Sequence, residues 1–188
     1  MSETSLQNVI LVDENDREIG LEEKLAVHQN GGKLHRAISI LVFNDRGDAL
    51  FQQRAMSKYH ASGKWTNTCC SHPRSGEGIE DAMHRRLREE LGFDCEMKEV
   101  FTILYRANVG NGMTEHEYCH VFFGRYNGEV TPNKDEVMAY KWEKLDAIRK
   151  EILMQPDKFT PWIKIGIDKA ILCYNAEHKQ AMKDKVRA

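Results

Sequence analysis

Runs of apolar residues separated by polar turns predict several β-strands along the chain. Residues 37–43 form a mostly apolar run that ends in a turn rich in Asn, Asp and Gly, which is the pattern of two strands joined by a short loop. Asn127 and Gly128 give a second strong hairpin signal after a strand. The predicted strands cover residues 37–43, 49–53, 100–107, 115–126 and 137–142.

Helical periodicity is clearest in the middle of the chain, over residues 77–91. Apolar side chains recur every four positions from Ile79 to Leu91, and Gly92 follows where a C-cap glycine is expected. This spacing predicts a helix with one buried stripe and a charged opposite face.

Two more helices are predicted near the C-terminus. A short helix with apolar residues at Leu145, Ile148 and Ile152 is predicted to end before a proline. A last helix is predicted to begin at Pro161, since proline is favoured in the first helical turn. The charged residues 175–188 are expected to form either a loosely held helix or a disordered end. Helices mixed with antiparallel strands predict an α+β fold of the layered α/β/α type.

Length, composition and charge narrow the class of protein. A chain of 188 residues with no visible linker predicts one domain, 1–188, whose core is large enough to need no disulfides. The 27 basic and 29 acidic residues give a net charge of −2, so we expect no nucleic-acid partner. No apolar run reaches the ~18 residues of a membrane span, and the acidic N-terminus does not resemble a signal peptide. The odd count of five cysteines favours reduced thiols and a cytoplasmic protein.

Charged residues on the predicted central helix have an informative spacing. A solvated face with ion pairs is the ordinary interpretation of such residues. Their order nevertheless resembles the Nudix box, G-x5-E-x7-R-E-U-x-E-E-x-G-U, in which U is a bulky apolar residue. The matching positions are Ser71, Glu77, Arg85, Arg86, Leu87, Glu89, Glu90, Gly92 and Phe93.

Two positions depart from that box. Ser71 stands at its opening glycine, and Arg86 stands where the box has glutamate. The carboxylates of the box converge on Mg²⁺ held by a diphosphate, so the arginine removes a metal ligand and adds a fork of phosphate-binding donors. We therefore expect the scaffold of the box to be kept and its hydrolytic chemistry to be altered.

Histidines and glutamates elsewhere could form a second polar cluster. His28 and His35 flank a flexible Gln-Asn-Gly-Gly turn that could bring both imidazoles to one point. Glu115 and Glu117 lie two apart on a predicted strand, so their side chains leave the same face, which is unfavourable unless a cation lies between them. Taken singly, surface histidines and a solvent-facing strand edge are the ordinary alternatives.

The segment of residues 65–73 is unusual in composition. In an extended chain Cys70 and His72 point to the same side. A buried structural cysteine is the usual role of a single Cys, but Pro73 and the polar neighbours argue against a plain core strand here. The adjacent Cys69 suits neither a C-x-x-C redox motif nor a zinc knuckle.

Several separated motifs occur in the order found in type I isopentenyl-diphosphate isomerases, the metal-dependent and flavin-independent kind. The chain resembles this family over nearly its whole length. The motifs are Lys24-Leu25-Ala26-Val27-His28, Leu34-His35, Arg54-Ala55-Met56-Ser57-Lys58, Trp65-Thr66-Asn67, Cys70-x-His72-Pro73, the modified Nudix helix, Tyr105-Arg106-Ala107, Glu115-His116-Glu117 and Thr160-Pro161-Trp162. One departure is Ser71, because the family usually has glycine between the Cys and the His. Serine there would carry a modest strain if the position needed a positive φ.

The resemblance implies a Nudix-like α+β fold and an enzyme of isoprenoid biosynthesis that interconverts isopentenyl and dimethylallyl diphosphate. The double bond moves by one carbon through protonation to a tertiary carbocation and loss of a proton from C2, which requires two opposed proton-transfer groups. By the resemblance these groups are Cys70 and Glu117, with Tyr105 orienting or relaying the proton. Either of the two could protonate the alkene. No flavin is implied, and a monomer or weak homodimer is expected.

The resemblance also implies a metal site and an aromatic wall. The metal ligands would be His28, His35, His72, Glu115 and Glu117. Three imidazoles and two carboxylates favour Mn²⁺, Zn²⁺ or Fe²⁺ over Ca²⁺, and Mg²⁺ is also a candidate. Trp162 would face the developing cation and exclude water from it. Core packing at a helix start is the alternative for this residue.

Positive charge would bind the diphosphate. By the resemblance its ligands are Lys24, Arg54, Lys58 and Arg86. Glu90 would hold an Mg²⁺ that bridges the phosphate oxygens, while Glu89 is expected to be a helix-face residue. Two alternative functions remain: a Nudix-type pyrophosphohydrolase, which needs an intact carboxylate cluster on the helix, and a non-catalytic module that binds metal or thiols through the His and Cys residues.

Overall fold

The computed structural model describes the backbone of residues 8–187 and the side chains of residues 8–180. Within that span nine strands form one mixed sheet with four α-helices and a 3₁₀ helix, which confirms the predicted α+β class. The strands are β1 (Asn8–Val12), β2 (Glu18–Glu23), β3 (His35–Phe43), β4 (Ala49–Arg54), β5 (Trp65–Thr66), β6 (Cys69–Ser71), β7 (Met97–Gly110), β8 (Met113–Arg125) and β9 (Val137–Glu143). The helices are α1 (Lys24–Val27), α2 (Ile79–Leu91), α3 (Leu145–Met154), the 3₁₀ helix (Pro156–Lys158) and α4 (Pro161–Arg187).

Strand β3 lies at the centre of the sheet. Along one edge it pairs in parallel with β8, from His35 opposite Glu117 to Phe43 opposite Arg125. Along the other edge it is met in turn by β1, β6 and β4. A strand that is covered on both faces needs apolar residues at successive positions, which explains the mostly apolar run in its sequence.

The two faces of β3 belong to two separate hydrophobic cores. Leu41 and Phe43 pack with residues of α3 and α4 on one side of the sheet. Ile38 and Ile40 pack with α2 on the other side. Helices therefore cover both faces of the sheet, which is the layered α/β/α arrangement that the sequence predicts.

Helix α2 ends at Gly92, as predicted. Gly92 has a φ of +72°, and a Cβ at this position would lie 2.6 Å from the carbonyl oxygen of Thr131. Glycine is therefore required here for both its conformation and its small size. The helix begins at Ile79, two residues later than the pattern suggested. Glu77 lies in the preceding loop, from which it reaches Arg85 on the helix.

The prediction of a hairpin at Asn127 and Gly128 is wrong. The next strand in the chain, β9, does not turn back onto β8 but pairs with β4. The long hairpin of the sheet is β7–β8, and its turn contains Asn111 and Gly112, both with positive φ. Asn111-Gly112 and Asn127-Gly128 both have the residue types of a tight turn. They differ in the strand that follows, which pairs with the preceding strand only after Asn111-Gly112.

The C-terminal helices follow the prediction. Helix α3 starts at Leu145 and ends before the proline, and α4 begins at Pro161. Helix α4 continues to Arg187, through the segment expected to be a loosely held helix or disordered, and Ala188 lies outside the described residues. None of the helices in the described part of the chain is long and apolar enough to cross a bilayer.

A hairpin that the pattern did not indicate, β1–β2, docks the N-terminal segment onto the sheet. Leu11 of β1 pairs with His35 of β3. Asp16, in the turn of the hairpin, accepts a hydrogen bond of 2.7 Å from Arg36 and lies 3.0 Å from the ring of His120. Strand β2 leads directly into α1, which His28 terminates. The docking of the hairpin therefore determines where that histidine lies.

Candidate metal and catalytic site

A cavity lies between α2, α4 and the strands β6, β7 and β8. The predicted proton-transfer and aromatic residues on its wall are Cys70, Glu117, Tyr105 and Trp162. The predicted diphosphate and Mg²⁺ ligands on its wall are Lys24, Arg54, Lys58, Arg86 and Glu90. His72 and Glu115 also line the cavity, whereas His28 and His35 are fully buried beside it. The fold thus brings the predicted catalytic, metal-binding and diphosphate-binding residues into one region.

Four groups that could hold a metal ion converge beside the cavity. His28, His35, His72 and Glu115 each place one ligand atom within 4.8 Å of the others. Two ligands about 2.1 Å from the same ion lie at most about 4.2 Å apart, so a small contraction would close this cluster around an ion. Glu117 adjoins the cluster, with its Oε1 atom 3.0 Å from Nε2 of His72.

The turn between His28 and His35 brings the two imidazoles together, as predicted, with ring centroids 5.0 Å apart. Gly32 in this turn has a φ of +76°, and a Cβ there would lie 2.7 Å from the carbonyl oxygen of Thr114. The amide of Thr114 in turn donates to the carbonyl of His28 at 2.8 Å. The turn is therefore packed directly onto β8, the strand that carries the two glutamates.

Backbone carbonyls determine the tautomers of two histidines. Nδ1 of His28 lies 2.5 Å from the carbonyl oxygen of Lys24, and Nδ1 of His35 lies 2.8 Å from that of Lys33. A carbonyl oxygen can only accept, so in each neutral ring Nδ1 carries the proton and Nε2 presents a lone pair. Histidines that bind metals are oriented by second hydrogen bonds of this kind.

Two buried atoms without hydrogen-bond partners also fit a metal ion. Nε2 of His28 and Oε2 of Glu115 lie 2.8 Å apart, yet neither makes a well-aligned hydrogen bond within the described residues. Buried polar atoms without partners are costly, and a cation between the two would satisfy both. The contact with Glu115 raises the pKa of His28 although burial opposes the charge, so metal binding here would displace a proton.

The two glutamates occupy different electrostatic environments. Burial raises the pKa of Glu117 to about 8, and the charge of Glu115 adds to this shift. Burial also opposes the ionisation of Glu115, but its contacts with His28 and His60 hold its pKa well below the usual value. Glu115 is therefore the carboxylate that stays ionised, and Glu117 is the one that can carry a proton near neutral pH.

Cys70 is a half-buried thiol with a defined acceptor. Its Sγ–H group donates to Oδ1 of Asn67 at 3.1 Å, and Oγ of Ser39 lies 3.6 Å away. Burial raises the pKa of Cys70 to about 12, so the sulfur is protonated at neutral pH. Cys70 and His72 line the same cavity, which agrees with their predicted common face.

The segment around Cys70 forms a short strand, so the expectation against a core strand here is wrong. Strand β6 pairs with residues 38–40 of β3, and Cys69 is completely buried against α2. A strand of three residues is too short to be recognised from alternation. Ser71 belongs to this strand and is free of the left-handed strain considered for it. The non-glycine residues with positive φ in the described chain are Asp16, Asn30, Ala61 and Asn111.

A chain of hydrogen bonds connects Trp162 to Cys70. Nε1–H of Trp162 donates to Oγ1 of Thr66 at 2.7 Å, and this hydroxyl donates to Oδ1 of Asn67 at 2.9 Å. The same oxygen accepts the thiol hydrogen bond of Cys70. The indole is thus oriented by a polar contact in addition to packing.

Cations crowd the part of the cavity next to α2. Burial lowers the pKa of Lys24 to about 8, and the like charges of Lys58 and Arg86 add to this effect. The guanidinium of Arg54 lies 5.3 Å from the ring centroid of Trp162. Several cations this close together are suited to binding an anion with several oxygens.

The carboxylates of the Nudix-like segment are paired with arginines. Arg86 binds Glu90 and, at 2.6 Å, Glu89. Arg85 binds Glu77 at 2.5 and 2.7 Å. Burial opposes the charge of Glu90, but Arg86 keeps its pKa below the usual value. Each of the three carboxylates that match the Nudix box therefore has an arginine partner.

Two residues of this region are not indicated by the sequence. His60 is 5% exposed, and its Nε2 lies 3.1 Å from Oε1 of Glu115. Gln52 is buried and donates to Oε2 of Glu90 at 2.7 Å. A lone histidine in a loop has no spacing relation to other ligands, and a glutamine in a strand resembles a surface position, so neither carries a usable signal.

Comparison with protein families gives a match to the NUDIX domain over residues 33–163. Isopentenyl-diphosphate Delta-isomerase 2 of Aromatoleum aromaticum is 44% identical over 95% of this chain and 94% of its own length. Isopentenyl-diphosphate Delta-isomerase 2 of Photorhabdus laumondii is 50% identical over 83% of this chain and 88% of its own.

Solved structures show the same fold at low sequence identity. DR0079 from Deinococcus radiodurans has a TM-score of 0.73 at 16% identity, over 87% of this chain and 98% of its own. The MutT protein from Methanosarcina mazei has a TM-score of 0.61 at 17% identity, over 78% and 96%. These two likenesses concern the fold alone. The domain match and the relatives at 44% and 50% identity lead further: the chain belongs to the isopentenyl-diphosphate Delta-isomerase family of NUDIX-domain proteins.

Proposed function

We propose that this protein interconverts isopentenyl diphosphate and dimethylallyl diphosphate, with Cys70 and Glu117 as the two proton-transfer groups. The observation that carries the proposal is that both side chains line one cavity, which also contains the crowded cations and borders the His/Glu cluster. A carbon–carbon double bond is a very weak base. Its protonation therefore needs an acid held in place where water is excluded.

The reaction needs no oxidant or reductant. A proton adds to the terminal carbon of the alkene, which leaves a positive charge on the tertiary carbon. Loss of a proton from C2 then turns the C–H electron pair into the new double bond. Glu117 has a pKa of about 8 and Cys70 a pKa of about 12, so either group can carry a proton near neutral pH. One of the two would protonate the alkene from one side, and the other would remove the C2 proton from the opposite side.

Tyr105 positions the carboxyl group of Glu117. Its hydroxyl donates to Oε2 at 2.6 Å, while Oε1 faces Nε2 of His72. The carboxyl plane is therefore held from both sides. Orientation of this kind is what a proton-transfer group needs to reach a carbon atom, because carbon offers no lone pair to guide the approach.

A divalent ion fits beside Glu117, and we propose Mn²⁺, Zn²⁺ or Mg²⁺. The residues that would hold it are His28, His35, His72, Glu115 and Glu117. Bound there, the ion would supply positive charge that favours the ionised form of Glu117 and restrains its position. The carbonyl contacts of His28 and His35 support this role, because they leave Nε2 of each neutral ring unprotonated.

Trp162 would place an aromatic face against the developing carbocation. A cation–π contact contributes about 2 kcal/mol when it is desolvated. The indole also excludes water, which would otherwise trap the cation as an alcohol. Its hydrogen bond to Thr66 supports this role by fixing the plane of the ring.

The cation cluster would bind the diphosphate. We assign this role to Lys24, Arg54, Lys58 and Arg86. Glu90 would hold an Mg²⁺ that supplies further positive charge to the diphosphate, and its buried contacts with Arg86 and Gln52 support a fixed position for the carboxylate. Because these groups lie apart from the reacting carbons, their loss is expected to weaken binding more than proton transfer.

Incubation with labelled isopentenyl diphosphate tests the proposal. We expect conversion to dimethylallyl diphosphate without release of phosphate, and near-complete loss of conversion in a folded Cys70→Ala variant. Fast phosphate release from a nucleoside diphosphate derivative would instead indicate a pyrophosphohydrolase. Metal binding without turnover of either substrate would indicate a non-catalytic module. Each of these last two results would overturn the proposal.

The cysteines suggest where the enzyme works. All five cysteines are free thiols, which suits a reducing compartment such as the cytoplasm. We also propose that a monomer or weak homodimer is the working unit.

A further inference from the structure

We propose that His60 is a positioning residue for the metal site, holding one oxygen of Glu115 so that only the other oxygen is offered to the ion. The inference rests on the proposed function and its metal site. It adds to that site a residue that lies outside all of the motifs shared with the isomerase family.

The two oxygens of Glu115 have different neighbours. Oε2 lies 2.8 Å from Nε2 of His28 and 3.8 Å from Nε2 of His35, on the side of the histidine cluster. Oε1 lies 3.1 Å from Nε2 of His60. An ionised carboxylate can only accept hydrogen bonds, so Nε2 of His60 carries the proton in this contact. Oε1 is thereby occupied, and Glu115 faces the cluster with a single free oxygen.

The position of His60 separates it from the ligand histidines. His28, His35 and His72 each place a ligand atom in the group that, together with an oxygen of Glu115, lies within 4.8 Å of one another, and His60 is outside this group. Nε2 of His60 faces Oε1 of Glu115 at 3.1 Å, and the buried Nδ1 has no partner within the described residues. This placement makes His60 a support for a ligand and not a fourth imidazole ligand.

Packing holds the ring of His60 in this position. The ring meets Tyr59 and Trp162 edge to face, with centroid distances of 4.3 and 5.9 Å. The carbonyl of His60 accepts a hydrogen bond of 3.1 Å from Arg54. The next residue, Ala61, has a φ of +47°, which turns the chain sharply after the histidine. His60 thus joins the metal cluster to the aromatic wall and to one of the cations of the cavity.

Zinc affinity is the first readout of the proposal, measured on the full chain without substrate by competition with a chromophoric chelator. His60→Ala is expected to weaken Zn²⁺ binding about 10- to 100-fold, the usual effect of removing a residue that orients a metal ligand. His60→Gln should recover most of this loss, because its amide NH₂ can reach Oε1. His60→Asn is too short to do so and should behave like the alanine variant, which provides a second test if alanine impairs folding.

The visible spectrum of the Co²⁺-loaded protein is the second readout. Without His60, Glu115 can bind through both oxygens, so the coordination number rises and the Co²⁺ absorption of the alanine variant weakens. The glutamine variant should keep the wild-type spectrum. His84→Ala changes a partly exposed histidine on α2 and serves as the matched control, with unchanged affinity and spectrum.

Three results would contradict the proposal, and they differ in meaning. Equal losses of Zn²⁺ affinity in the alanine and glutamine variants would make His60 a direct ligand. Unchanged affinity in the alanine and asparagine variants would reduce His60 to a packing residue. Both results leave the isomerase proposal intact. A wild-type chain that binds neither Zn²⁺ nor Co²⁺ would remove the metal site itself, and with it both proposals.

Discussion

Tyr105 and Glu117 stand opposite each other in the pairing of β7 with β8, and the hydroxyl of Tyr105 donates a hydrogen bond of 2.6 Å to Oε2 of Glu117. The other oxygen of this carboxyl lies 3.0 Å from Nε2 of His72. One carboxyl group is therefore held between a tyrosine and the histidine cluster, on the wall of the cavity that also contains Cys70.

Removing the Tyr105 hydroxyl tests this arrangement. Tyr105→Phe is expected to lower kcat about 10- to 100-fold, since a hydrogen bond to a charged group contributes about 1.5–3 kcal/mol. KM and metal affinity should change little, because the ring and the histidines stay in place. Tyr118→Phe is the matched control, since Tyr118 adjoins Glu117 on the opposite face of β8. A kcat within twofold of wild type in Tyr105→Phe would contradict the positioning role.

The chain of hydrogen bonds from Trp162 to Cys70 predicts that substitutions of Thr66 and Trp162 have coupled effects on stability. Thr66→Val removes the hydroxyl that accepts from Trp162 and donates to Asn67. We expect a lower kcat and a free energy of unfolding reduced by about 1–3 kcal/mol, because the buried indole N–H loses its partner. Trp162→Phe removes the same hydrogen bond from the other end. In the double variant the two losses of stability should therefore be less than additive, and full additivity would show that the bond does not connect them.

Replacing Arg86 by glutamate restores the residue of the Nudix box. The new side chain would then stand beside Glu89 and Glu90, and both carboxylates would lose Arg86 as a partner. We expect a raised KM for isopentenyl diphosphate and no gain of hydrolysis. Arg88→Glu makes the same change of charge on an exposed part of α2 and should leave KM unchanged. A lower KM in Arg86→Glu, or release of phosphate, would contradict the assignment of Arg86 to diphosphate binding.

The lowered pKa of Lys24 predicts that catalytic activity falls at alkaline pH. Burial and the charges of Lys58 and Arg86 lower its pKa to about 8, and only the charged form attracts the diphosphate. The value of kcat/KM, which reports the free enzyme, should therefore fall as the pH rises through about 8. Lys24→Arg should move this fall to higher pH, because guanidinium stays charged. The same profile in both proteins would exclude Lys24 as its source.

The lowered pKa of Lys24 also makes the stability of the protein depend on pH. The folded-state pKa of Lys24 lies below the ordinary value of 10.5, so the unfolded chain binds more protons between about 8 and 10.5. The contribution of Lys24 to the free energy of unfolding should therefore rise with pH across this window. Thermal melts of wild type and Lys24→Met at several pH values isolate this contribution.

Elements with strong local patterns were predictable from the sequence. The apolar run of β3 and the four-residue spacing of α2 reflect burial that these segments experience in the fold. The common face of Glu115 and Glu117 follows from the two-residue period of a strand, and both side chains are buried. These features depend on residues that are close together in the chain.

Features that depend on distant contacts were not predictable. Asn127 and Gly128 have the composition of a hairpin turn, but the strand after them pairs with β4, which is about 85 residues earlier. His60 acquires its role only because its loop meets Glu115 on β8. The functional assignments of Cys70, Glu117 and the cations rest on the family resemblance and stay predictions until they are measured.

Deuterium uptake from D₂O into isopentenyl diphosphate tests most directly whether Cys70 and Glu117 exchange protons with opposite sides of one bound alkene. The wild-type protein with its metal is expected to incorporate deuterium into substrate and product, and a chelator should stop the uptake. Cys70→Ala and Glu117→Gln, each shown to be folded by circular dichroism, should both fail to incorporate it. Uptake at nearly the wild-type rate in either folded variant would contradict the account.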